Sequence, residues 1–212
     1  GPLAALSRSQ VNLADFHKEF VAVVTNPAVD RGRELEAFST SSMIGACSSI
    51  GEAPLSNDML MTLQVPILLG GHPQAGSNAA AEEVACRYGT HTLDQLVELF
   101  QGKICWLALG VSPAEDTRKA LDRLRAEADD AIQQGAQCLI LDDGRAIQCG
   151  YGWLDPHLVM AALDESLRKS GGKHSLRRRV GIVIRSASIR SLHDTVLLSG
   201  FGADAIHPYA MF

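Results

Sequence analysis

Glycine-stopped alternation from Lys103 onward constrains this chain more than any other feature. Short apolar runs at 103–109, 136–141, 179–184 and 203–206 alternate with longer, helix-like stretches at 112–135, 155–171 and 188–200. Gly135, Gly171 and the pair Gly200 and Gly202 stand where those stretches stop. A short continuous apolar run suits a strand buried on both faces. Strands that alternate with helices call for parallel pairing through right-handed crossovers. The expected class is therefore α/β, with parallel βαβ units forming a partial (β/α) barrel-like or open sheet. The four runs are half of what a closed eight-stranded barrel needs.

Within this repeat, 112–135 carries the strongest helix signal. Leu121, Leu124, Ala128 and Ile132 make one apolar stripe. Ser112 and Glu115 have capping-box spacing, and Pro113 falls at the first helical position. Residues 1–102 are less regular and rich in Ser, Gly and Ala. A helix is predicted over 12–24, with Asn12 as its N-cap and Phe16, Phe20, Val23 and Val24 at helical spacing. It ends before Pro27, which pushes its predecessor out of the α region. A short strand at 63–69 and a helix at 91–100, with Gly102 just past its end, complete the reading. One domain over 1–212 is expected, an irregular helical N-terminal part (1–102) packed against the βα-repeat part (103–212).

Charge narrows the function classes. A net charge of −5 and a pI near 5.8 argue against a nucleic-acid binder, which carries a basic face. The one basic cluster, 176–180 (Leu-Arg-Arg-Arg-Val), reads as a solvated loop leading into a strand. Five cysteines form no CxxC pair, which fits a reducing compartment. No apolar run approaches the roughly 20 residues that span a bilayer, and no signal peptide is evident. Lacking an initiator Met, the chain reads as a fragment or as one carrying a tag scar. The expected location is cytoplasmic, or an organelle stroma in a eukaryote.

Ligands in parallel α/β folds gather where strands end. Those ends carry Asp142, Asp143 and Arg145, then Arg185, Ser186 and Ser188, then His207-Pro208-Tyr209. Asp142 and Asp143 have the chemistry of an acid/base pair or of metal ligands, but Asp-Asp-Gly also makes an ordinary turn. Arg185 can clamp an anion or pair internally with Asp142 or Asp143. Ser186 and Ser188 read most simply as N-caps. Gly150-Tyr151-Gly152 precedes a helix but lacks the third glycine of a dinucleotide fingerprint. His193 and Asp194, as sequence neighbours in a helix, point in different directions. No catalytic motif, zinc spacing or phosphate loop occurs, so no catalytic, cofactor or metal residue is assigned.

Two stretches at opposite ends resemble a known family. Residues 1–34, with Val24-Thr25-Asn26-Pro27-Ala28-Val29-Asp30, resemble the opening of the glutamate synthase central domain. Residues 120–143 resemble its helix and strand leading to Leu-Ser-Asp-Arg, and 197–212 its closing phrase, with Gly202, Ala203, Asp204, Pro208 and Tyr209. The family-matching structural residues are thus Thr25, Asn26, Pro27, Asp30 and those five. Departures fall mostly on strand ends and loops: Asp30-Arg31 loses a proline, Leu141-Asp142-Asp143-Gly144-Arg145 replaces Leu-Ser-Asp-Arg, and Arg185 reverses a glutamate. Residues 39–100 match poorly. The resemblance points to a divergent member.

In that family the central domain joins a glutamine amidotransferase domain, which releases ammonia, to a flavin and iron–sulfur barrel, which uses it. The resemblance implies a connector without cofactor of its own, with FMN and an iron–sulfur cluster only in the neighbouring domain. Its implied partners are those two domains of the same polypeptide, with no nucleic acid or membrane. Two other readings stay open, a half-barrel binding a small anion or phosphate at the strand-end rim, and a stand-alone interaction module. By the first reading, His207-Pro208-Tyr209 is where the chain leaves for the next domain, and Tyr209 packs there rather than donating a proton.

Overall fold

The computed structural model describes residues 13–17, 31–33, 39–47, 59–71, 79–144, 146, 151–171 and 175–211. The expected 12–24 helix lies mostly outside these; its described part is a 3-10 turn, Leu13–Phe16. Thr25, Asn26, Pro27, Asp30, Arg145 and Cys149 also lie outside.

A hairpin comes first among the strands, β1 (Ser42–Gly45) pairing antiparallel with β2 (Leu60–Leu63). Two short helices follow, α1 (Ala79–Tyr88) and α2 (Leu93–Leu99). The βα series then runs β3 (Ile104–Ala108), α3 (Thr117–Gln133), β5 (Cys138–Asp142), α4 (Pro156–Lys169), β7 (Gly181–Arg185), α5 (Leu192–Gly200) and β8 (Ala205–His207). Two two-residue strands, β4 (Gly110–Val111) and β6 (Gly152–Trp153), pair antiparallel beside it. The sheet is parallel, four-stranded and ordered β3-β5-β7-β8. Parallel strands in chain order, joined through helices, make an open segment of barrel-like sheet, in agreement with the sequence.

Strand alternation divides the core. Leu107, Leu139, Leu141, Ile182, Ile184 and Ile206 pack under the helices with Leu124, Met160, Leu163 and Leu198. Cys138, Ile140, Val183 and Ala205 face the opposite way, onto Ile44, Leu63, Leu68, Leu96 and Phe100 of the N-terminal part. The hairpin comes so near that a Cβ at Gly181 would lie 2.5 Å from the Gly45 nitrogen. The segment after β2 extends the sheet. Leu68 N–H donates to the Ile206 carbonyl and Ile206 N–H to the Pro66 carbonyl, with Ile67 bridged in parallel to Ile206. The expected 63–69 strand is thus the end of β2 followed by this short added rung.

Helix starts differ from expectation because side chains, not spacing alone, select the cap. Asp116 caps α3 by accepting from Lys119 N–H, which shifts the start past Ser112 and Pro113. Ser112 instead closes a turn, its carbonyl accepting from Glu115 N–H. Thr92 and Gln95 form a reciprocal capping box on α2 that the sequence reading missed. At α5 the cap is Ser191, not Ser186 or Ser188. Gly200 falls inside α5, and Gly202, at φ +110°, lets the chain turn into β8.

Candidate functional site

Register aligns the strand ends into a row. Asp142 on β5 pairs with Arg185 on β7, and Arg185 with His207 on β8. Alternation puts all three on the face covered by the N-terminal part. Arg185 Nη1 donates to Asp142 Oδ1 at 2.5 Å, with both side chains largely shielded from water. The guanidinium also lies over the Tyr209 ring, 4.2 Å from its centroid, a cation–π placement. The internal pairing anticipated for Arg185 is the one present.

Asp143 is fully buried and acts as a hub. Its carboxylate accepts from Ser186 Oγ (2.5 Å), the Ala187 N–H (3.1 and 3.2 Å) and the Tyr209 hydroxyl (2.7 Å). Ser186 Oγ in turn lies 2.8 Å from Ser188 Oγ and accepts from the Ser188 N–H. Ser186 and Ser188 therefore close the β7 turn rather than cap a helix. The Asp-Asp-Gly turn expected here is present, Asp142 Oδ1 accepting from the Gly144 N–H at 3.2 Å, with Asp143 buried within it. A buried carboxylate is tolerable only with several donors aimed at it, and three residues supply them. Burial, followed by the Asp143 carboxylate, pushes the Tyr209 phenol well above its ordinary range. The expected packing role for Tyr209 is incomplete, because its hydroxyl is a structural donor.

His207 completes the row. Its ring is buried, with Nε2 2.6 Å from the Gly70 carbonyl and Nδ1 lacking a partner among the described residues. The short contact to a carbonyl fixes Nε2 as the protonated nitrogen. Burial lowers its pKa to about 4, and Arg185 adds to the effect, against opposition from the Gly70 carbonyl, Asp94 and Asp142.

The rim so assembled holds Asp142, Asp143, Arg185, Ser186 and Ser188 together. Arg145 lies outside the described residues. Gly152 joins the β4–β6 pairing, Gly150 lies outside the described residues, and Asp155 caps α4 from its own side chain. His193 Nε2 contacts the Ala14 carbonyl, while Asp194 accepts from the Arg190 N–H, so the two are separate as expected.

A second ionic cluster escaped the sequence reading. Arg177, expected in a solvated loop, is instead largely shielded from water in a 3-10 turn (Leu176–Arg179). It donates to Asp164 (2.9 Å), Asp204 (2.9 Å) and the carbonyls of Val180 (2.8 Å) and Gly202 (2.6 Å). Asp204 also accepts from Ile182 N–H. This joins α4, β7 and the turn into β8. The signal was present in Asp204 after Gly202, but the three arginines read as one charged face. Among the described residues no group of three or more His, Cys, Asp or Glu is placed to hold a metal. None of their helices is long and apolar enough to cross a membrane.

The glutamate synthase central domain family matches residues 1–212. The large chain of the NADPH glutamate synthase of Bacillus subtilis is 28% identical over 211 residues, covering 100% of this chain. The chloroplastic ferredoxin-dependent glutamate synthase of Oryza sativa is 31% identical over 98% of it, and the NADH glutamate synthase of Saccharomyces cerevisiae 26%. The chain spans only 12% of the length of the first two and 9% of the third. With the whole sequence matched at this modest identity, the chain belongs, as a divergent member, to the glutamate synthase central domain family.

Proposed function

We propose that this chain is a non-catalytic connecting domain, holding a glutamine amidotransferase domain and an FMN and iron–sulfur synthase domain of one polypeptide in register. The observation that carries this reading is how the strand-end rim spends its charges. Arg185 is engaged by Asp142 and Tyr209, and Asp143 by Ser186, Ala187 and Tyr209. In a ligand-binding α/β rim such groups are turned toward the substrate. Here they tie the strand ends to one another and to the residues following β8. A rim whose polar groups bond one another rather than a ligand suits a spacer between working parts.

The relatives' much greater length supports further domains in the same polypeptide. On this reading the domain needs no cofactor of its own, and its place is the cytoplasm or an organelle stroma. The test is calorimetric titration of the purified chain with flavin mononucleotide, inorganic phosphate and 2-oxoglutarate, alongside its visible spectrum. Flat traces at millimolar ligand and a colourless protein are expected. Stoichiometric flavin would overturn the proposal, and saturable phosphate binding would favour an anion site at the rim.

A further inference from the structure

We infer that β3 is a self-association edge, along which a second copy of this chain adds its own β3 antiparallel across a two-fold axis at Trp106. The inference is independent of the connecting role, which concerns parts of one polypeptide. The two edges of the parallel sheet differ. At β8 the Pro66–Leu69 rung occupies the edge, whereas at β3 nothing among the described residues does. The Lys103 carbonyl accepts from the Cys138 N–H at 3.1 Å, and the Leu109 N–H donates to the Asp142 carbonyl at 2.8 Å. Odd-numbered residues thus bond to β5, so the N–H and C=O groups of Ile104, Trp106 and Ala108 point outward, unpaired among the described residues. Edge strands that stay solvated are protected by charge, proline or a bulge. Residues 104–108, Ile-Cys-Trp-Leu-Ala in unbroken register, have none of these, and Trp106 is 48% exposed. The three outward residues are symmetric about Trp106. In an antiparallel pair Trp106 exchanges both bonds with Trp106 of the second copy, and Ile104 with its Ala108.

A second copy is the occupant that the charge on α3 fits. Anions favour helix N-termini and cations favour C-termini. Inside α3 the order is reversed. Its first half, 117–125, holds four cations against Asp122 alone, and its second half, 126–133, holds Glu127, Asp129 and Asp130 with no cation. The reversal weakens the helix itself but becomes complementary when two α3 helices lie antiparallel. One flank of α3, with Leu121 and Arg125, borders a cleft shared with Leu158 of α4. By helical spacing the opposite flank, on the side of the open edge, carries Lys119, Arg123, Glu127 and Asp130. Glu127 lies close enough to β3 to add to the burial that pushes the Cys105 thiol upward. A helix packed over β3 and β5 sits about half a strand spacing inside β3. Joining two copies edge to edge therefore sets their α3 helices about 10 Å apart, an ordinary packing distance. Lys119 and Arg123 of one copy then meet Glu127 and Asp130 of the other.

Sedimentation velocity and disulfide trapping of the full-length polypeptide carrying this chain test the inference. A dimer is expected at micromolar concentration. Trp106→Cys, mildly oxidised, is expected to give a dimer joined through residue 106 of both copies, located by mass spectrometry of the linked peptide. Directly paired Cα atoms about 5.5 Å apart lie within disulfide reach. Wild type treated alike gives the background from the native cysteines. Asp130→Lys is expected to raise the dimer dissociation constant about tenfold, by placing a cation before Lys119 and Arg123 of the second copy. A monomer throughout the micromolar range would overturn the inference, whether Trp106 is then solvated or covered by another part of the same polypeptide. A folded Trp106→Cys dimer without the 106–106 link, or a dimer indifferent to Asp130→Lys, would overturn it as well. Flavin binding by the chain would defeat the connecting role and leave this result untouched.

Discussion

The Tyr209 hydroxyl donates to Asp143 at 2.7 Å, tying the residues after the last strand to the end of β5. Two positions 66 residues apart in sequence thereby define one corner of the rim. Tyr209→Phe removes one donor from a fully buried carboxylate while keeping the ring over Arg185. A loss of about 1.5–3 kcal/mol is expected, the range for hydrogen bonds to charged groups. Chemical denaturation of wild type and variant, compared at unchanged m-value, checks it. No change in midpoint would mean that Asp143 is satisfied without Tyr209.

Arg177 should be intolerant even of lysine. Its planar fork reaches two carboxylates and two carbonyls at once, and an ammonium group cannot reproduce that geometry. Arg177→Lys is expected to cost about 2 kcal/mol, and Arg177→Ala about 3–5 kcal/mol by leaving Asp204 near Asp164 without the guanidinium between them. Thermal melts at pH 7 give the comparison. Equal melting temperatures for all three proteins would show that the cluster is incidental.

Gly181→Ala tests the contact between the hairpin and the parallel sheet. The added methyl would meet the Gly45 nitrogen at 2.5 Å and Ile44 Cγ2 at 2.6 Å, too close to absorb without moving backbone. Overpacking of this kind costs about 1–3 kcal/mol. The matching check is Gly102→Ala, where a Cβ meets nothing within 4 Å but φ is +76°. That second variant reports backbone strain alone, whereas Gly181 has no positive φ, so its loss is the steric one.

Acid should weaken the fold through His207. The group is held neutral when folded, with a pKa of about 4, against an ordinary value of about 6.5 when unfolded. Between those values the unfolded chain binds the extra proton and the folded chain does not. Stability from this group is therefore complete above about pH 6.5, declines as pH falls toward about 4, and is level below that. The full span is on the order of 3 kcal/mol. His207→Asn should flatten this segment of the stability–pH curve, read from denaturation midpoints at pH 7, 6, 5 and 4.5. A variant with the wild-type slope would place the effect elsewhere.

The βα series was legible because each element states itself twice, in an apolar run and in the glycine that ends the following helix. Cys138–Asp142 and Gly181–Arg185 fall within two residues of their predicted spans for that reason. The hairpin was not legible. Ser42–Gly45 and Leu60–Leu63 are too short to show a period, and their partner is the sheet face, which sequence does not display. Helix α1, Ala79–Tyr88, hid in an alanine-rich stretch with one buried side chain, Ala85. At the rim, reading by strand ends named residues that the fold does bring together, but not the bonds they make. The Asp-Asp-Gly turn was legible and Ser186 read as a cap because both habits are local, whereas the Ser186–Asp143 bond runs between strand ends 43 residues apart.

The rung that Pro66–Leu69 adds beside β8 has a consequence for how the molecule is made. Ile67 finds its partner in Ile206, so that pairing must wait until β8, 139 residues later, has left the ribosome. During synthesis the earlier segment has no sheet edge to join, and its apolar residues Ile67 and Leu68 remain without their cover. Pairing across so long a loop slows folding of this part. Nascent chains halted just before β8 should accordingly be captured by chaperones, while those released after it should not.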